Sequence, residues 1–314
     1  MTLLVVTSPA VSPVTPEVRP AAVAPGQPLS ATWTCWNGQS WTITDRSSPV
    51  FATQGADGIE LTDPEHWWDD DDSGRDGSDW QGMRTPRGEV FLPIRIEGST
   101  SAEFLANRAA FRKSLDGSKE NTLRITRPDG EWREIKCRYV SGGRVTMEPD
   151  PVLVRRATYG LTFATGDPFW RGQPVTVRFP YAPPQLFFNA WPPVVNSAET
   201  LGSATVTNLG DVPSAAVWHM DGPFTAFSVG VGDALVAMTV TKTLGQWVEV
   251  DARPGVLTML DETGTRMWSY ATKENLTGMA VPPGESVGLS TVLTGASYGA
   301  GVSVTFEPGY RDGY

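Results

Sequence analysis

Residues 152–172 read VLVRRATYGLTFATGDPFWRG. From Val152 to Ala164 apolar and polar side chains alternate, the two-residue period of a strand with one face on a core, and Gly166-Asp167-Pro168 stops it. A strand this long needs partners, and the sequence supplies them on both sides. Upstream, Thr32–Trp36 and Gln39–Thr44 flank Asn37-Gly38, a dipeptide suited to a tight hairpin turn, with Trp41 and Ile43 on one face. Phe91–Glu97 reads as a further strand. Leu123–Thr126 and Trp132–Val140 bracket Arg127-Pro128-Asp129-Gly130, where proline presets one φ and glycine permits another, so a second hairpin is predicted. Only Ala102–Leu115 carries a helical stripe, through Phe104, Leu105, Ala109, Phe111 and Leu115. Thr100 or Ser101 can cap its start and Gly117 follows its end.

Downstream, Val175–Phe179 forms another strand, after which Pro180, Pro183, Pro184, Pro192 and Pro193 interrupt the chain. A domain boundary is expected in this connection, near residue 182. Beyond it, short strands are predicted over 204–208, 215–220, 226–229, 235–239, 246–251, 256–260, 266–270, 288–293 and 301–306. Asp261-Glu262-Thr263-Gly264 and Pro282-Pro283-Gly284 are among the turns between them. Nine strands without a helix predict a β-sandwich over 183–314. Residues 1–30 hold six prolines (Pro9, Pro13, Pro16, Pro20, Pro25, Pro28) and read as an extended arm. The expected fold is mainly β: the arm, a mixed sheet with one helix over 31–182, then the sandwich.

Composition narrows the function. With 40% hydrophobic and 19% charged residues the 314-residue chain is neither disordered nor membranous in character. Leu3–Val6 is far short of the about 20 apolar residues of a spanning helix, so no membrane insertion is expected. The first basic residue is Arg19, so the apolar start lacks the charged segment of a signal peptide. Cys35 and Cys137 each fall in a predicted strand, and buried, reduced thiols in a cytoplasm are expected rather than a disulfide. His66 and His219 are too few for a multi-histidine metal centre, and each adjoins a tryptophan as packed residues do. No nucleophile elbow, phosphate loop, H-E-x-x-H helix or C-x-x-C pair occurs. The expectation is a protein without catalytic residues, bound metal or cofactor.

The net charge of −10 is unevenly placed. Asp57–Asp79 carries ten acids against Arg75, net −9, whereas the rest of residues 1–180 is net +6 and residues 181–314 net −7. An acidic total argues against duplex DNA binding through counterion release. Glycines and repelling carboxylates make the stretch around Trp67, Trp68 and Asp69, Asp70, Asp71, Asp72 read as a long loop. The aspartates do not follow the alternate spacing of a calcium loop. Trp67, Trp68 and Trp80 need apolar cover, so these seven residues are expected to form a subunit or partner interface, the acids facing the basic remainder of a neighbouring first domain. At a Debye length of about 8 Å in physiological salt the neighbouring charges are not fully screened. In the second domain Trp218, Trp247 and Trp268 are candidates for stacking on a sugar, against the commoner fate of core packing for residues inside strand patterns.

The order of these parts resembles the distal tail protein family of long-tailed phages, in particular minor tail proteins of siphophages infecting actinobacteria. The residues that carry the resemblance are Gly166-Asp167-Pro168-Phe169-Trp170-Arg171-Gly172 after the long strand, then Asn208-Leu209-Gly210-Asp211, Val217-Trp218-His219-Met220-Asp221-Gly222-Pro223, Val248-Glu249-Val250-Asp251 and Pro282-Pro283-Gly284. The acidic stretch matches no part of that pattern. The resemblance implies a β-barrel-like first domain forming a ring, usually of six subunits, on the end of the tail tube, and a galectin-like sandwich projecting from it. It further implies an adaptor between tail tube protein, tape measure protein, tail-tip hub and host-binding proteins, located in the virion, with DNA passing through the lumen, where the acids of 57–79 would have the competing use of repelling its phosphates. The alternative class is a carbohydrate-binding protein whose sandwich holds host cell-wall glycans.

Overall fold

The computed structural model describes residues 28–69, 76–144, 149–181, 199–273, 275–276 and 278–314, with backbone alone at 199–203. The expected arm, up to residue 27, and the proline-rich connection over 182–198 lie outside the described residues. The protein is mainly β and divides into two compact units: one runs to Gln173 and takes in Gly309–Tyr314, and the other is Pro174–Pro308.

The first unit contains β1 (Ser30–Thr34), β2 (Ser40–Thr42), β3 (Val50–Ala52), β4 (Glu65–Asp69), β5 (Asp79–Arg84), β6 (Gly88–Glu97), helix α1 (Ser101–Arg112), β7 (Asn121–Thr126), β8 (Trp132–Ser141), the short α2 (Pro151–Val154), β9 (Arg156–Thr165) and β10 (Trp170–Arg171). Its main sheet has the order β2-β1-β7-β8-β9-β6-β3, with antiparallel neighbours. Ala52 N–H donates to Ile43 O at 2.7 Å, so the two edges meet and the sheet is nearly closed into a barrel. Alternation builds its interior: Val90, Leu92, Ile94 and Ile96 of β6 stand opposite Phe163, Leu161, Tyr159 and Ala157 of β9, and all eight are buried. Trp33 closes on Phe163 with ring centroids 4.4 Å apart.

Two sequence expectations are corrected here. The strand expected from Val152 begins at Arg156, because Asp150 accepts a hydrogen bond from Val152 N–H at 2.9 Å and Pro151 occupies the first turn of α2, which Arg155 ends at φ 55°. In α1 the Thr100 hydroxyl accepts from Glu103 N–H at 3.1 Å as expected, but only Phe104 and Phe111 of the predicted stripe are buried, and Leu105 and Ala109 face solvent. A nearly closed barrel offers the helix a narrow seat, which two phenylalanines seven residues apart fill. The seat is tight: a Cβ on Gly98 would lie 2.3 Å from Phe104 N.

The second unit comprises β11 (Val175–Pro180), β12 (Glu199–Thr207), β13 (Ser214–Asp221), β14 (Phe224–Val231), β15 (Ala234–Lys242), β16 (Trp247–Asp251), β17 (Thr258–Asp261), β18 (Ala271–Lys273), β19 (Ala280–Val281), β20 (Ser286–Thr294) and β21 (Gly301–Phe306). One sheet runs β11-β21-β13-β16-β17 with β19 beside β13, and the other runs β12-β20-β14-β15-β18. Trp218, Met220, Val248, Val250, Val302 and Val304 from the first and Phe227, Val229, Val236, Met238, Leu289 and Leu293 from the second belong to one buried core, the arrangement of a sandwich. β11 pairs along its length with β21, so it belongs with the sandwich and the units divide at residues 173 and 174, ahead of the expected position near 182. The strand expected over 266–270 is instead a turn ending in a short 3₁₀ segment, Trp268–Tyr270, since Leu260 pairs back with Arg266 at once.

After the sandwich the chain returns to the first unit. β22 (Gly309–Tyr310) pairs with β10, Trp170 opposite Tyr310, and β10 also pairs with β8. The final residues are held by Gly313 N–H on Ile59 O at 2.9 Å, by the Arg133 guanidinium 3.8 Å over the Tyr310 ring, and by Arg133 on Asp312 and on Tyr314 O.

Two features of the sandwich give predictions. Asn208, fully buried, donates its amide to Val212 O at 2.8 Å and Val281 O at 3.0 Å and accepts from Gly210 N–H at 2.9 Å, which explains an asparagine before the Leu209-Gly210-Asp211 turn. Asn208→Ala leaves these groups unpaired at a cost of about 3 kcal/mol, and the sandwich is expected to melt roughly 10 °C lower by calorimetry. Buried Lys242 meets Glu262 at 2.8 Å and Asp261 at 3.3 Å. Asp261 is held down to about 2 by the Thr263 hydroxyl, then by the Thr265 and Thr263 amides and the Lys242 ammonium, which together outweigh burial; Glu262 is lowered chiefly by Lys242. Carboxylates depressed in this way stabilise the fold above about pH 4, and that contribution is lost as pH falls toward about 2. Melting curves over that window are expected to fall steeply for the native chain and less steeply for Lys242→Met.

Candidate functional site

The stretch expected to be a loop is a hairpin. β4 and β5 pair antiparallel, Glu65 opposite Arg84 and Trp68 opposite Trp80, with an irregularity between Trp67 and Trp68. The carboxylate repulsion that favours a loop is offset at the base by the Arg84–Glu65 ion pair at 2.7 Å, and aromatic residues suit paired strands. Asp70, Asp71 and Asp72 lie outside the described residues; Asp69 ends β4 opposite Asp79.

The two strands form a separate two-stranded sheet. On one face the Arg84 guanidinium stands 6.0 Å from the Trp67 ring centre. On the other, Trp80 Nε1–H donates to His66 Nδ1 at 3.1 Å and the His66 and Trp68 rings are 6.1 Å apart. His66, expected to be packed, is exposed with them. Trp67, Trp68 and Trp80 are 50, 56 and 55% exposed, and Met83 beside them is also exposed. Sequence reading missed Met83, because a strict two-residue period puts it on the face opposite Trp80 and only the extra residue Gln81 in the pairing brings the two to one face. A lone hairpin is marginal in water, and Trp68 and Trp80 with Met83 on one face form the kind of apolar surface that partners cover, while Trp67 stands half bare on the other. A second exposed apolar set lies elsewhere on the same unit: Leu105 of α1 with Val152 and Leu153 of α2, where Ser101 Oγ donates to Val152 O at 3.1 Å and joins the two helices.

The other candidate residues fall apart from one another. Trp218 is wholly buried in the sandwich core and is no sugar contact. Its strand position made core packing the commoner fate, and its place in β13 turns it inward. Trp247 is half-buried on the outer face of its sheet, 5.0 Å from the His219 ring. Trp268 is half-buried in the 3₁₀ segment against the core. Both cysteines are free and buried, and burial pushes the Cys137 thiol up to about 12, far from reactivity.

The crystal structure of the phage SPP1 Dit protein, titled a paradigm of the hub adsorption apparatus in phages infecting Gram-positive bacteria, superposes with a TM-score of 0.60 at 14% identity, over 90% of this chain and 99% of that one. The chain shares the fold of a phage Dit protein. A chain of the phage p2 baseplate in its activated conformation with calcium gives a TM-score of 0.51 at 9% identity, over 89% and 98% of the two chains. No family model and no curated protein matches the sequence. Coverage of 90% of this chain means that both of its units are matched, the sandwich as well as the barrel.

Proposed function

We propose that this chain is a structural protein of a phage virion, a distal tail adaptor whose first unit assembles with copies of itself into a ring, six-membered by the family resemblance, at the end of the tail tube. The ring joins tail tube and tape measure proteins to the tail-tip hub and host-binding components, and DNA passes through it. The observation that carries this reading is the match to SPP1 Dit over 90% of the chain, which spans both units. No catalytic role is assigned to any residue.

Within the ring, the β4–β5 hairpin is the contact between copies. In this reading its tryptophans lie against Leu105, Val152 and Leu153 of the next copy, which are exposed in the single chain, and its negative charge is drawn to the outer side of the barrel, where Lys136, Arg138 and Arg156 are exposed. Two different patches meeting head to tail generate a closed ring when the rotation closes. Light scattering of the purified chain tests the reading: a stable multimer is expected, and a monomer at high concentration together with its absence from the tail end in labelled particles would refute it. Replacing Asp69, Asp70, Asp71 and Asp72 by asparagine separates the two uses of the acids. Slower or incomplete ring assembly is expected, whereas normal rings with impaired DNA delivery would place the acids in the lumen.

A further inference from the structure

Along the outer face of the sheet β11-β21-β13-β16-β17, alternate side chains point away from the core, and one row across it is chemically unlike the rest. Strand register aligns Leu260, Glu249, His219, Ser303 and Arg178, with Trp247, Asp221 and Gly301 as the neighbouring row. His219 Nε2 is 3.3 Å from Asp221 Oδ1 and its Nδ1 3.5 Å from Glu249 Oε2, while its ring lies against Trp247. The side chains of Asp221, Glu249 and His219 are 56, 38 and 32% exposed, so the carboxylates keep open acceptor positions. Arg178 is exposed, with no ion pair among the described residues. Gly301, without a side chain, leaves the sheet low beside Asp221.

We infer that this row is a binding face for a neutral, polyhydroxylated sugar chain. A half-exposed indole offers an apolar plate for the C–H face of a sugar ring. Carboxylates flanking it accept charge-assisted hydrogen bonds from neighbouring hydroxyls, and Arg178 and Ser303 supply donors on the other side. Charge selects within the class of wall polymers. Residues 174–308 are net −6, which repels phosphate-bearing or uronate-bearing chains and leaves uncharged ones. A divalent cation is a poorer occupant, since no group of three ligating side chains comes together among the described residues. A protein partner would be expected to bury a central apolar cluster, and this row has one tryptophan among polar groups. The inference stands on the sandwich alone and is independent of ring formation.

The test uses the full chain in calorimetric titrations with neutral hexasaccharides of glucose, galactose and mannose, and with polyglycerol phosphate. Saturable binding of at least one neutral hexasaccharide is expected at about 0.1–1 mM. Trp247→Ala and Asp221→Asn should each weaken it by about tenfold or more, with melting unchanged, whereas Trp268→Ala, outside the row, leaves it intact. If Trp247→Ala does not fold, Glu249→Gln and Arg178→Ala give the same reading from exposed positions. No saturable binding of any neutral hexasaccharide up to about 10 mM, binding of polyglycerol phosphate alone, or equal loss in Trp268→Ala would each overturn it. Row variants that block incorporation into particles while no hexasaccharide binds would also overturn it, because the face would then belong to a protein contact.

Discussion

Replacing Trp67, Trp68 and Trp80 together by serine is expected to convert the assembled protein to monomers without unfolding it. All three indoles are about half exposed in the single chain, so removing them takes little from the barrel and the sandwich, although the hairpin loses its Trp68–Trp80 pair across the strands. In an interface each central aromatic contributes about 2 kcal/mol or more. Trp68 and Trp80, which share a face, then amount to about 4 kcal/mol per contact, a weakening on the order of 10³-fold. Mass by light scattering at a fixed protein concentration reads the outcome, and a melting curve checks that the monomer is intact. Leu153→Asp, on the opposite patch, is expected to act in the same direction through the facing surface. A ring of unchanged mass in the triple variant would remove the hairpin from the interface.

The second large effect concerns residues 309–314. Gly313 sits so closely that a Cβ there would lie 2.9 Å from Ile125 Cδ1 and 3.0 Å from Trp170, and Trp170 is among the largest fully buried side chains. Ending the chain at Pro308 removes the β22 pairing, strips the cover from Trp170 and leaves Arg133 without its ring and carboxylate partners. The loss is expected to be about 4 kcal/mol or more, lowering the melting temperature of the first unit by roughly 10 °C or more. The sandwich transition in the same calorimetric trace serves as the internal reference and should not move. Gly313→Ala, a milder probe, is expected to shift the first-unit transition in the same direction.

What the sequence reveals depends on whether the physics is local. β9 is legible because Ala157, Tyr159, Leu161 and Phe163 keep a strict two-residue period, and the β1–β2 turn because Asn37-Gly38 meets a turn with Gly38 at φ 86°. The Asp150-Pro151 pair is a helix-start signal, cap followed by proline, that the alternation around it overshadows. For the hairpin, four adjacent aspartates weigh toward a loop, yet pairing is decided by Trp68 and Trp80 meeting across strands, which no single segment displays. The placement of β11 with β21 and of β22 with β10 spans more than a hundred residues and leaves no local trace. The sugar-facing row was half visible: His219 and Asp221, like Trp247 and Glu249, are spaced by two and so share a face. Only strand register brings the two pairs together.

The pairing of β10 with β22 also sets a schedule for synthesis. Everything else in the first unit has been made by Gln173, but its last strand and the residues that cover Trp170 follow Pro174–Pro308. At about 5–20 residues per second the ribosome needs roughly 7 to 27 seconds to supply them. For that interval the nascent barrel waits with an uncovered tryptophan while the sandwich is made and folds. A chain cut short anywhere in the sandwich never receives its clamp, so prematurely ended copies enter the pool with a weakened first unit. Assembly is thereby biased toward copies that carry both units.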